Sequence, residues 1–415
     1  MILKNFYENA IDGRYFTMKT LIVGLLFGVA AFAQSASPKV TTSTLIAIVP
    51  FQLVANHLYV QATVNGTLSL SAVIDSGSPY SEIDKSRADE LRIPTLGAVP
   101  LPGFGNEQQA GNNIIINNVD LHGASLEDIH GYSGPVRDVI SPLLGHTTDA
   151  IIGSDLFKKY VVEVDYFDKV LRLYDSASYI APQGGCQLPL LVDDYPRIHA
   201  QLTDNDGNLV DAIVVIDTGA PYLILTKSFG DEHPLLASQN RTIDGAPRRV
   251  SGETHFRVGR IRAIKLGGCV VQTPVIFISE DSQGSGLGNE GLSAYVGGDI
   301  LQQFTTVFDY RHHLVTFTRN RGRDMVSQYD MTGMHICASG PSFHDFTVDF
   351  VLKNSPAERR GIQVGDKIDS ANRIPASRLT LDELYQMFMR KGSLRLTMSR
   401  NGVRKKEKLK LKPLI

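Results

Sequence analysis

Two aspartates stand in nearly identical short segments of the chain, and paired carboxyl groups are a common basis for acid–base catalysis. Asp75 lies in Val-Ile-Asp-Ser-Gly-Ser-Pro-Tyr, and Asp217 lies in Val-Ile-Asp-Thr-Gly-Ala-Pro-Tyr. Each aspartate ends an apolar, strand-like run and enters a turn with glycine, which favours a rigid position at a loop tip. Two carboxyl groups held close together do not both ionise readily, so one acts as a base while the other donates a proton. We expect no metal or other cofactor there.

The repetition extends beyond the aspartate turns and indicates a duplicated architecture. Downstream, Ala150–Asp155 has a counterpart in Ala294–Asp299, and Val164–Tyr166 has a counterpart in Phe308–Tyr310. The matches keep their order and nearly their spacing, so two homologous halves explain them better than coincidence. Short apolar or alternating runs between Gly, Asn, Asp and Pro predict mostly β-structure for residues 45–320.

With these motifs the chain resembles the pepsin- and retropepsin-like aspartic proteases over residues 45–320. The paired Asp-Ser/Thr-Gly turns, each followed later by a hydrophobic-hydrophobic-Gly segment, carry the resemblance. It implies a mainly β, two-lobed acid-protease-like fold, with Asp75 and Asp217 face to face at the floor of a cleft. It also implies that Ser76 and Thr218 hydrogen-bond across the interface between the lobes.

The turns around the aspartates supply the other site residues that the resemblance implies. The supporting residues are Ser76, Gly77, Ser78, Thr218 and Gly219. Ser78 is able to hydrogen-bond the carboxyl group of Asp75, which favours its ionised form. Ala220, at the matching position beside Asp217, has no hydroxyl group. We therefore expect Asp75 to be charged more often than Asp217 in the free enzyme.

A mobile hairpin over the cleft is a further feature of the resembled family. The stretch Pro100–Asn106 is the candidate flap of the first half, with Gly103, Phe104 and Gly105 at its tip. Phe104 stands where the family usually has a tyrosine. Asp244–Gly252 is the matching candidate in the second half, and an ordinary surface hairpin is the alternative for both stretches.

From about Val326 the pattern changes and resembles a PDZ domain, a small β domain with one or two helices. The segments Asn354–Glu358, Gly361–Ile362 and Val364–Asp366 carry this resemblance. It implies a groove that receives an extended peptide by strand addition. The candidate groove residues are Thr332, Gly333, Met334 and Leu381. The loop departs from the family's Gly-hydrophobic-Gly-hydrophobic form, so binding of a free C-terminus, a lateral peptide groove and packing against the protease lobes all remain open.

The N-terminal residues resemble a secretory leader. Lys19 precedes the apolar run Leu21–Ala31, and Ala31-Phe-Ala33 offers small residues to a signal peptidase. The run is too short to cross a bilayer comfortably, which predicts an exported protein, periplasmic or extracellular, without a stable membrane span. The true start is Met1 or Met18.

Cysteine usage and charge add two limits. Cys186, Cys269 and Cys337 are widely separated and lack the paired spacing of a zinc site or a redox dithiol. Three thiols, or one disulfide that the sequence does not assign, are the alternatives. The formal net charge of -2 gives no reason to expect a nucleic-acid partner.

These patterns predict four regions and one leading function. The regions are a leader and signal peptide (1–33), a first protease lobe (34–183), a second protease lobe (184–322) and a PDZ-like domain (326–415). The predicted function is an exported aspartic endopeptidase that cleaves peptide or protein substrates, with a PDZ-like domain for a peptide or partner. A peptide-binding protein that has lost cleavage is the alternative, against which both intact aspartate turns argue. A glycosidase is disfavoured because its two acids usually lie farther apart.

Overall fold

A computed structural model describes the chain over most of its length, and its β-strands greatly outnumber its short helices. The described residues are 43–101, 109–193, 195–234, 243–245, 248–249, 252–253, 255–280, 291–320 and 326–415. Helices within them are Lys85–Glu90, Val136–Leu144, Ser154–Lys159, Lys227–Glu232, Gly298–Leu301, Pro356–Arg359 and Leu381–Phe388, with a 3₁₀ turn at Ala376–Arg378. The predicted mainly β fold class is confirmed. In the described part of the chain, no helix combines the length and apolar composition that a membrane crossing needs.

One antiparallel sheet takes three strands from each half of the sequence, and we call it the shared sheet. In spatial order its strands are Leu45–Pro50, Val170–Asp175, Tyr160–Asp165, Phe304–Asp309, Leu314–Arg319 and Cys186–Pro189. The halves meet where Val162 pairs with Phe308 and Asp165 pairs with Thr305. On each side of this junction the order of the strands is the same: a hairpin, then the strand that begins that half.

The first sheet carries the first aspartate turn. In spatial order its strands are Gln52–Val54, His57–Val64, Leu68–Ile74, Ala150–Ile152, Glu82–Asp84, Ala124–Gly134, Gln109–Leu121 and Thr95–Leu101. His57–Val64 also pairs with Gln109–Leu121, so the sheet curls back on itself. Leu68–Ile74 and Ala150–Ile152 are parallel neighbours, and the aspartate turn follows the first of them.

The second sheet repeats this arrangement around the second aspartate turn. In spatial order its strands are Ile243–Gly245, Phe256–Arg260, Val275–Ser279, Leu223–Leu225, Ala294–Val296, Leu209–Ile216, Pro196–Thr203, Ala263–Leu266 and Cys269–Gln272. Leu191–Val192 pairs with Pro196–Thr203, and Arg248–Arg249 pairs with Gly252–Glu253. Leu209–Ile216 and Ala294–Val296 are again parallel neighbours.

Apolar residues from the first, second and shared sheets form a continuous core. In the strand His57–Val64, for example, Leu58, Val60 and Ala62 are buried while Gln61 is exposed. Side chains of a strand alternate between its faces, and full burial of a large apolar side chain contributes about 1.5–3 kcal/mol. A disulfide between Cys186 and Cys269 connects the shared sheet to the second sheet.

The C-terminal sheet has its own core. In spatial order its strands are Met334–Ser339, Asp345–Val351, Lys367–Ala371, Gly392–Arg400 and Val403–Leu411, and Ile374–Pro375 pairs with the third of these. The helix Leu381–Phe388 begins at a capping box formed by Thr380 and Glu383 and buries Leu384 against the sheet. Such a box satisfies two backbone amides that the first turn leaves without partners.

The C-terminal domain packs against the first half of the chain. The helix Val136–Leu144 lies against the edge strand Met334–Ser339. The side chain of Leu381 fills the space over Gly145, where a Cβ atom would collide with it. Nearby, the backbone amide of Ala55 donates to Oδ1 of Asp382 (3.3 Å). The turn before the strand His57–Val64 is therefore linked directly to the C-terminal helix.

Candidate active site

Each aspartate begins its turn at the end of a buried central strand. The backbone amide of Asp75 donates to the carbonyl oxygen of Ile152 (2.9 Å), and that of Asp217 donates to the carbonyl oxygen of Val296 (3.0 Å). Ile152 and Val296 belong to the two hydrophobic-hydrophobic-Gly segments, Ile151–Gly153 and Tyr295–Gly297. These segments therefore lie behind the aspartate turns and fix the start of each one.

Reciprocal hydrogen bonds join the two turns through Ser76 and Thr218. The amide of Ser76 donates to Oγ1 of Thr218, and the amide of Thr218 donates to Oγ of Ser76, both at 3.0 Å. The hydroxyl of Ser76 donates to the carbonyl oxygen of Ile216 (2.7 Å), and that of Thr218 donates to the carbonyl oxygen of Ile74 (2.8 Å). Both side chains are fully buried. Fully paired buried polar groups fix a single geometry, so the turns are held in register.

The two carboxyl groups lie next to each other, each against the glycine of the opposite turn. Asp75 and Asp217 hydrogen-bond each other through their side chains. The amide of Gly77 donates to Oδ1 of Asp75 (2.9 Å), and the amide of Gly219 donates to Oδ1 of Asp217 (2.8 Å). A Cβ atom at either glycine would overlap the carboxyl group of the opposite turn. Glycine is therefore required at both positions for the carboxyl groups to meet.

The environment makes the two carboxyl groups unequal. Burial raises the pKa of Asp75, and the hydrogen bond from Asp217 and the amides of its turn act in the opposite direction. Burial raises the pKa of Asp217 well above its usual value, and the negative charge of Asp75 raises it further. Asp217 is 3% exposed, whereas Asp75 is half-buried. The pKa of Asp217 is therefore raised more strongly than that of Asp75.

The hydroxyl group of Ser78 does not produce this asymmetry, contrary to the sequence-based expectation. It donates to the carbonyl oxygen of Tyr80 (2.7 Å) and so shapes the turn. The backbone amide of Ser78 assists Asp75, as the amide of Ala220 assists Asp217 (3.0 Å). The difference between the carboxyl groups arises from burial and from their mutual charge.

Two aromatic pairs involve the tyrosines that end the repeated aspartate segments, and sequence reasoning did not single them out. Tyr80, five residues after Asp75, packs edge-on against Tyr132 with ring centroids 5.1 Å apart. Tyr222, five residues after Asp217, stacks on Phe277 at 4.8 Å. The signal was present, since Pro-Tyr occurs in both repeated segments. Aromatic side chains offer large apolar surfaces for contact with a ligand.

Asn56 is a second residue that the sequence analysis missed. Its Nδ2 donates to the carbonyl oxygen of Pro221 (3.0 Å), and its Oδ1 accepts a hydrogen bond from Nε2 of Gln302 (2.8 Å). Its φ of 68° lies in the left-handed region, which asparagine adopts more readily than most residues. A residue of the first half therefore anchors the turn that follows Asp217.

The predicted flap tips fall outside the described residues. Gly103, Phe104 and Gly105 belong to the undescribed stretch 102–108, and Asp244–Gly252 is described only in part. The described strands on either side of this stretch, Thr95–Leu101 and Gln109–Leu121, are antiparallel neighbours. The flap role of these residues remains a prediction.

The loop predicted to receive a peptide C-terminus already holds a carboxylate from its own chain. The amide of Thr332 donates to Oδ1 of Asp330 (2.9 Å), and the amide of Gly333 donates to Oδ2 (2.5 Å). The hydroxyl of Thr332 also donates to Oδ1 (2.6 Å). Burial raises the pKa of Asp330 to about 6, although these hydrogen bonds lower it. Asp330 thus uses the donors that a peptide carboxylate would need.

The remaining groove candidates are buried in the C-terminal core. Thr332, Met334 and Leu381 are each at most 3% exposed. The edge amide of Ile336 donates to the hydroxyl oxygen of Tyr385 on the facing helix (3.0 Å). In this arrangement the candidate side chains fill the core and its contact with the first half, and they do not line an open groove.

Two sequence families match separate parts of the chain. The family described as Aspartyl protease matches residues 60–156, and the family described as PDZ domain matches residues 333–399. The first match includes Asp75 and the segment Ile151–Gly153, whereas Asp217 lies outside both matches. No curated protein matches the chain. The chain thus contains an aspartyl-protease-like domain and a C-terminal PDZ domain.

Proposed function

We propose that this protein is an exported, two-lobed aspartic endopeptidase of the pepsin and retropepsin type, in which Asp75 and Asp217 act as one catalytic pair. The observation that carries the proposal is the contact between two carboxyl groups from duplicated turns, locked together by Ser76 and Thr218. The aspartyl-protease family match supports the chemistry for the first turn, and the repeated geometry extends it to the second.

In the proposed mechanism Asp217, whose pKa is raised more strongly, is the acid, and Asp75 is the base. Ionised Asp75 takes a proton from a water molecule, whose oxygen attacks the carbonyl carbon of the scissile peptide bond. Protonated Asp217 gives its proton to the carbonyl oxygen, which yields a neutral tetrahedral intermediate. As the C–N bond breaks, Asp75 passes its proton to the leaving nitrogen, and a hydroxyl proton of the intermediate returns to Asp217. The pair ends in its starting state.

The duplicated surroundings suit an extended peptide as substrate. Tyr80 and Tyr222 occupy matching sequence positions beyond the two aspartates, and each packs against a second aromatic ring. We assign to them apolar contacts with the substrate on either side of the scissile bond. A roughly two-fold arrangement accepts a chain that runs through it and leaves specificity to side-chain contacts. The proposed substrate class is therefore unstructured segments of peptides or proteins.

Export is part of the proposal and has two supports. The segment from Met18 to Ala33 resembles a signal peptide, and Cys186 pairs with Cys269 in a disulfide. Disulfides persist mainly in oxidising compartments. The proposed location is periplasmic or extracellular.

The C-terminal PDZ domain has a different role from the capture of free C-termini in this proposal. Asp330 occupies the donors of the carboxylate loop, and Asp382 binds the turn at Ala55. The domain supports the first half through the contacts of Asp382 with Ala55 and of Leu381 with Gly145. A peptide or protein partner binds it without using a terminal carboxylate.

Cleavage of a mixture of unstructured peptides, from acidic to neutral pH, tests the proposal directly. Asp75→Asn and Asp217→Asn are each expected to lower kcat/KM by at least about 100-fold, since each removes one acid–base partner. Asp211→Asn is the matched control, because Asp211 is exposed on the strand that leads to Asp217. Peptide binding without cleavage by folded wild-type protein would favour the non-catalytic alternative. Cleavage that survives both substitutions would overturn the assignment.

A further inference from the structure

Three side chains with metal-binding chemistry converge on the outward face of the C-terminal sheet. His335 and Cys337 alternate along the edge strand with the buried residues Ile336 and Ala338, so both point away from the domain core. They are half-buried, as is Asp349 on the neighbouring strand. None of the three takes part in the proposed hydrolysis.

A β-bulge brings Asp349 into this group. His335 pairs with Phe350, whereas the next residue, Ile336, pairs with Val348, so Asp349 is the extra residue of its strand. An extra residue disrupts the ladder locally and re-aims its side chain. The carboxylate of Asp349 reaches both His335 and Cys337 as a result.

The distances within the group are short. Nδ1 of His335 lies 2.7 Å from Oδ1 and 3.0 Å from Oδ2 of Asp349, and Sγ of Cys337 lies 3.2 Å from Oδ2. The three possible ligand atoms all lie within 4.8 Å of one another. Ligand atoms of a tetrahedral zinc site are separated by about 3.5 Å, given Zn–N and Zn–S bonds of about 2.0–2.3 Å. Small side-chain rotations suffice to reach that geometry.

We propose that His335, Cys337 and Asp349 bind a Zn²⁺ ion, with a fourth coordination position open to water or to a ligand group. Imidazole nitrogen, thiolate sulfur and carboxylate oxygen are the donors that Zn²⁺ takes in proteins, whereas Mg²⁺ and Ca²⁺ prefer oxygen alone. On binding, the ion replaces the thiol proton of Cys337, which passes to solvent. His335 coordinates as neutral imidazole through Nδ1 and keeps its proton on Nε2.

The cysteines of the chain favour this interpretation. Cys186 and Cys269 form the disulfide, so Cys337 retains its thiol in a protein that carries an oxidised pair. Coordination converts such a thiol into a bound thiolate and excludes it from exchange with the disulfide. The aspartate already adjacent to the thiol favours an overall neutral site once the divalent ion and the thiolate are present.

A second histidine–aspartate pair in the chain provides an internal control. Nδ1 of His312 lies 2.8 Å from Oδ2 of Asp309 in the turn that follows the strand Phe304–Asp309. The described residues place a His, a Cys and an Asp or Glu together only at His335, Cys337 and Asp349. His312→Ala therefore removes a similar histidine–aspartate contact without removing a zinc ligand of the proposed site.

Metal binding to the full chain, purified without a histidine tag and stripped with a chelator, tests the proposal. Titration with Zn²⁺ against a chromogenic chelator should show one tightly held ion per chain, and Co²⁺ should give a thiolate-to-metal charge-transfer band. Cys337→Ser should remove that band and weaken Zn²⁺ binding at least about tenfold, since loss of even an indirect partner of a metal ligand costs about 10–100-fold. Asp349→Asn should also weaken binding, and His312→Ala should leave it unchanged.

The proposal fails if folded wild-type protein holds no stoichiometric Zn²⁺. It also fails if Cys337→Ser binds Zn²⁺ as tightly as wild type, or if Co²⁺ gives no charge-transfer band. Circular dichroism of each variant establishes that it is folded, and the conservative Cys337→Ser change keeps the test decisive if Asp349→Asn does not fold.

Discussion

The carboxyl group of Asp217 illustrates how the burial of a single residue makes stability depend on pH. Burial and the charge of Asp75 raise its pKa well above the usual value, so the folded protein binds the proton more tightly than the unfolded chain does. A carboxyl group of this kind contributes stability below the unfolded pKa of about 3.9. That contribution is lost as the pH rises through the folded pKa. The unfolded chain releases this proton at a lower pH than the folded protein, so rising pH favours unfolding.

Replacement of this carboxyl group should therefore stabilise the protein most at neutral pH. Asparagine does not titrate, so the melting temperature of Asp217→Asn should rise relative to wild type between about pH 4 and about pH 7. Thermal unfolding at both pH values measures the difference. Asp211→Asn, on the exposed part of the same strand, should show no such trend. An equal difference at both pH values would contradict the raised pKa of Asp217.

Residues whose roles depend on neighbours in sequence were easier to predict than residues whose partners are remote. Asp75, Asp217 and their glycines were predictable because a buried strand followed by a tight turn is encoded in adjacent residues. Asn56 was not predictable, because its partners Pro221 and Gln302 are remote in sequence. The same limit applied to the hydroxyl group of Ser78, whose partner depends on the path of the folded turn.

Among the structural elements, the loop Asp330–Met334 shows how backbone amides that could bind an external carboxylate are hydrogen-bonded by an aspartate of the same loop. The sequence carried a local signal, since an aspartate two and three residues before backbone amides commonly accepts hydrogen bonds from them. The raised pKa of about 6 means that this carboxyl group stabilises the domain below the ordinary aspartate pKa and that the contribution is lost as pH rises through about 6. The hydrogen bonds of Asp330 within the loop thus compete with the binding of an external carboxylate.

Removal of this internal carboxylate should uncover a latent binding preference. Asp330→Ala leaves the amides of Thr332 and Gly333 without their acceptor, which should lower the free energy of unfolding by about 1–3 kcal/mol. Fluorescence anisotropy should show that wild type binds a peptide acid no better than the matching peptide amide, and that Asp330→Ala prefers the acid. Asp345→Ala, at an exposed position, is the control. A strong preference of wild type for the acid would refute self-occupation of the loop.

At the scale of the whole molecule, the turn Ala55–Asn56 joins three parts of the fold. The amide of Ala55 binds Asp382 of the C-terminal domain, while the side chain of Asn56 binds Pro221 and Gln302 of the second half. The carbonyl oxygen of Pro221 lies four residues beyond Asp217. A contact route therefore runs from the C-terminal helix to the second aspartate turn. The sequence did not predict this connection, since turns of this kind gain their partners only on folding.

Substitution of Asn56 separates its side-chain contacts from its backbone conformation. Asn56→Gly keeps the left-handed backbone and removes two hydrogen bonds, so the free energy of unfolding should fall by about 1–3 kcal/mol. kcat/KM should fall about tenfold as the turn after Asp217 loosens. Chemical unfolding and peptide cleavage measure the two effects.

Two further variants separate the effect of backbone conformation from the loss of the Asn56 side-chain contacts. Asn56→Ala should be less stable than Asn56→Gly by about 1 kcal/mol, because alanine disfavours a φ of 68°. Asn401→Gly alters an exposed asparagine of similar φ, 50°, and should leave cleavage unchanged. Unaltered cleavage by Asn56→Gly would show that the Asp217 turn does not depend on this anchor.

The shared sheet makes the association of the two aspartate turns an intramolecular event. Because strands of both halves pair within one chain, the partner of each aspartate turn is supplied at the effective concentration of an intramolecular encounter. Dilution then leaves the pairing of the carboxyl groups intact, whereas a site built from two separate chains would come apart. A single molecule therefore carries both aspartate turns even when it is far from any other copy.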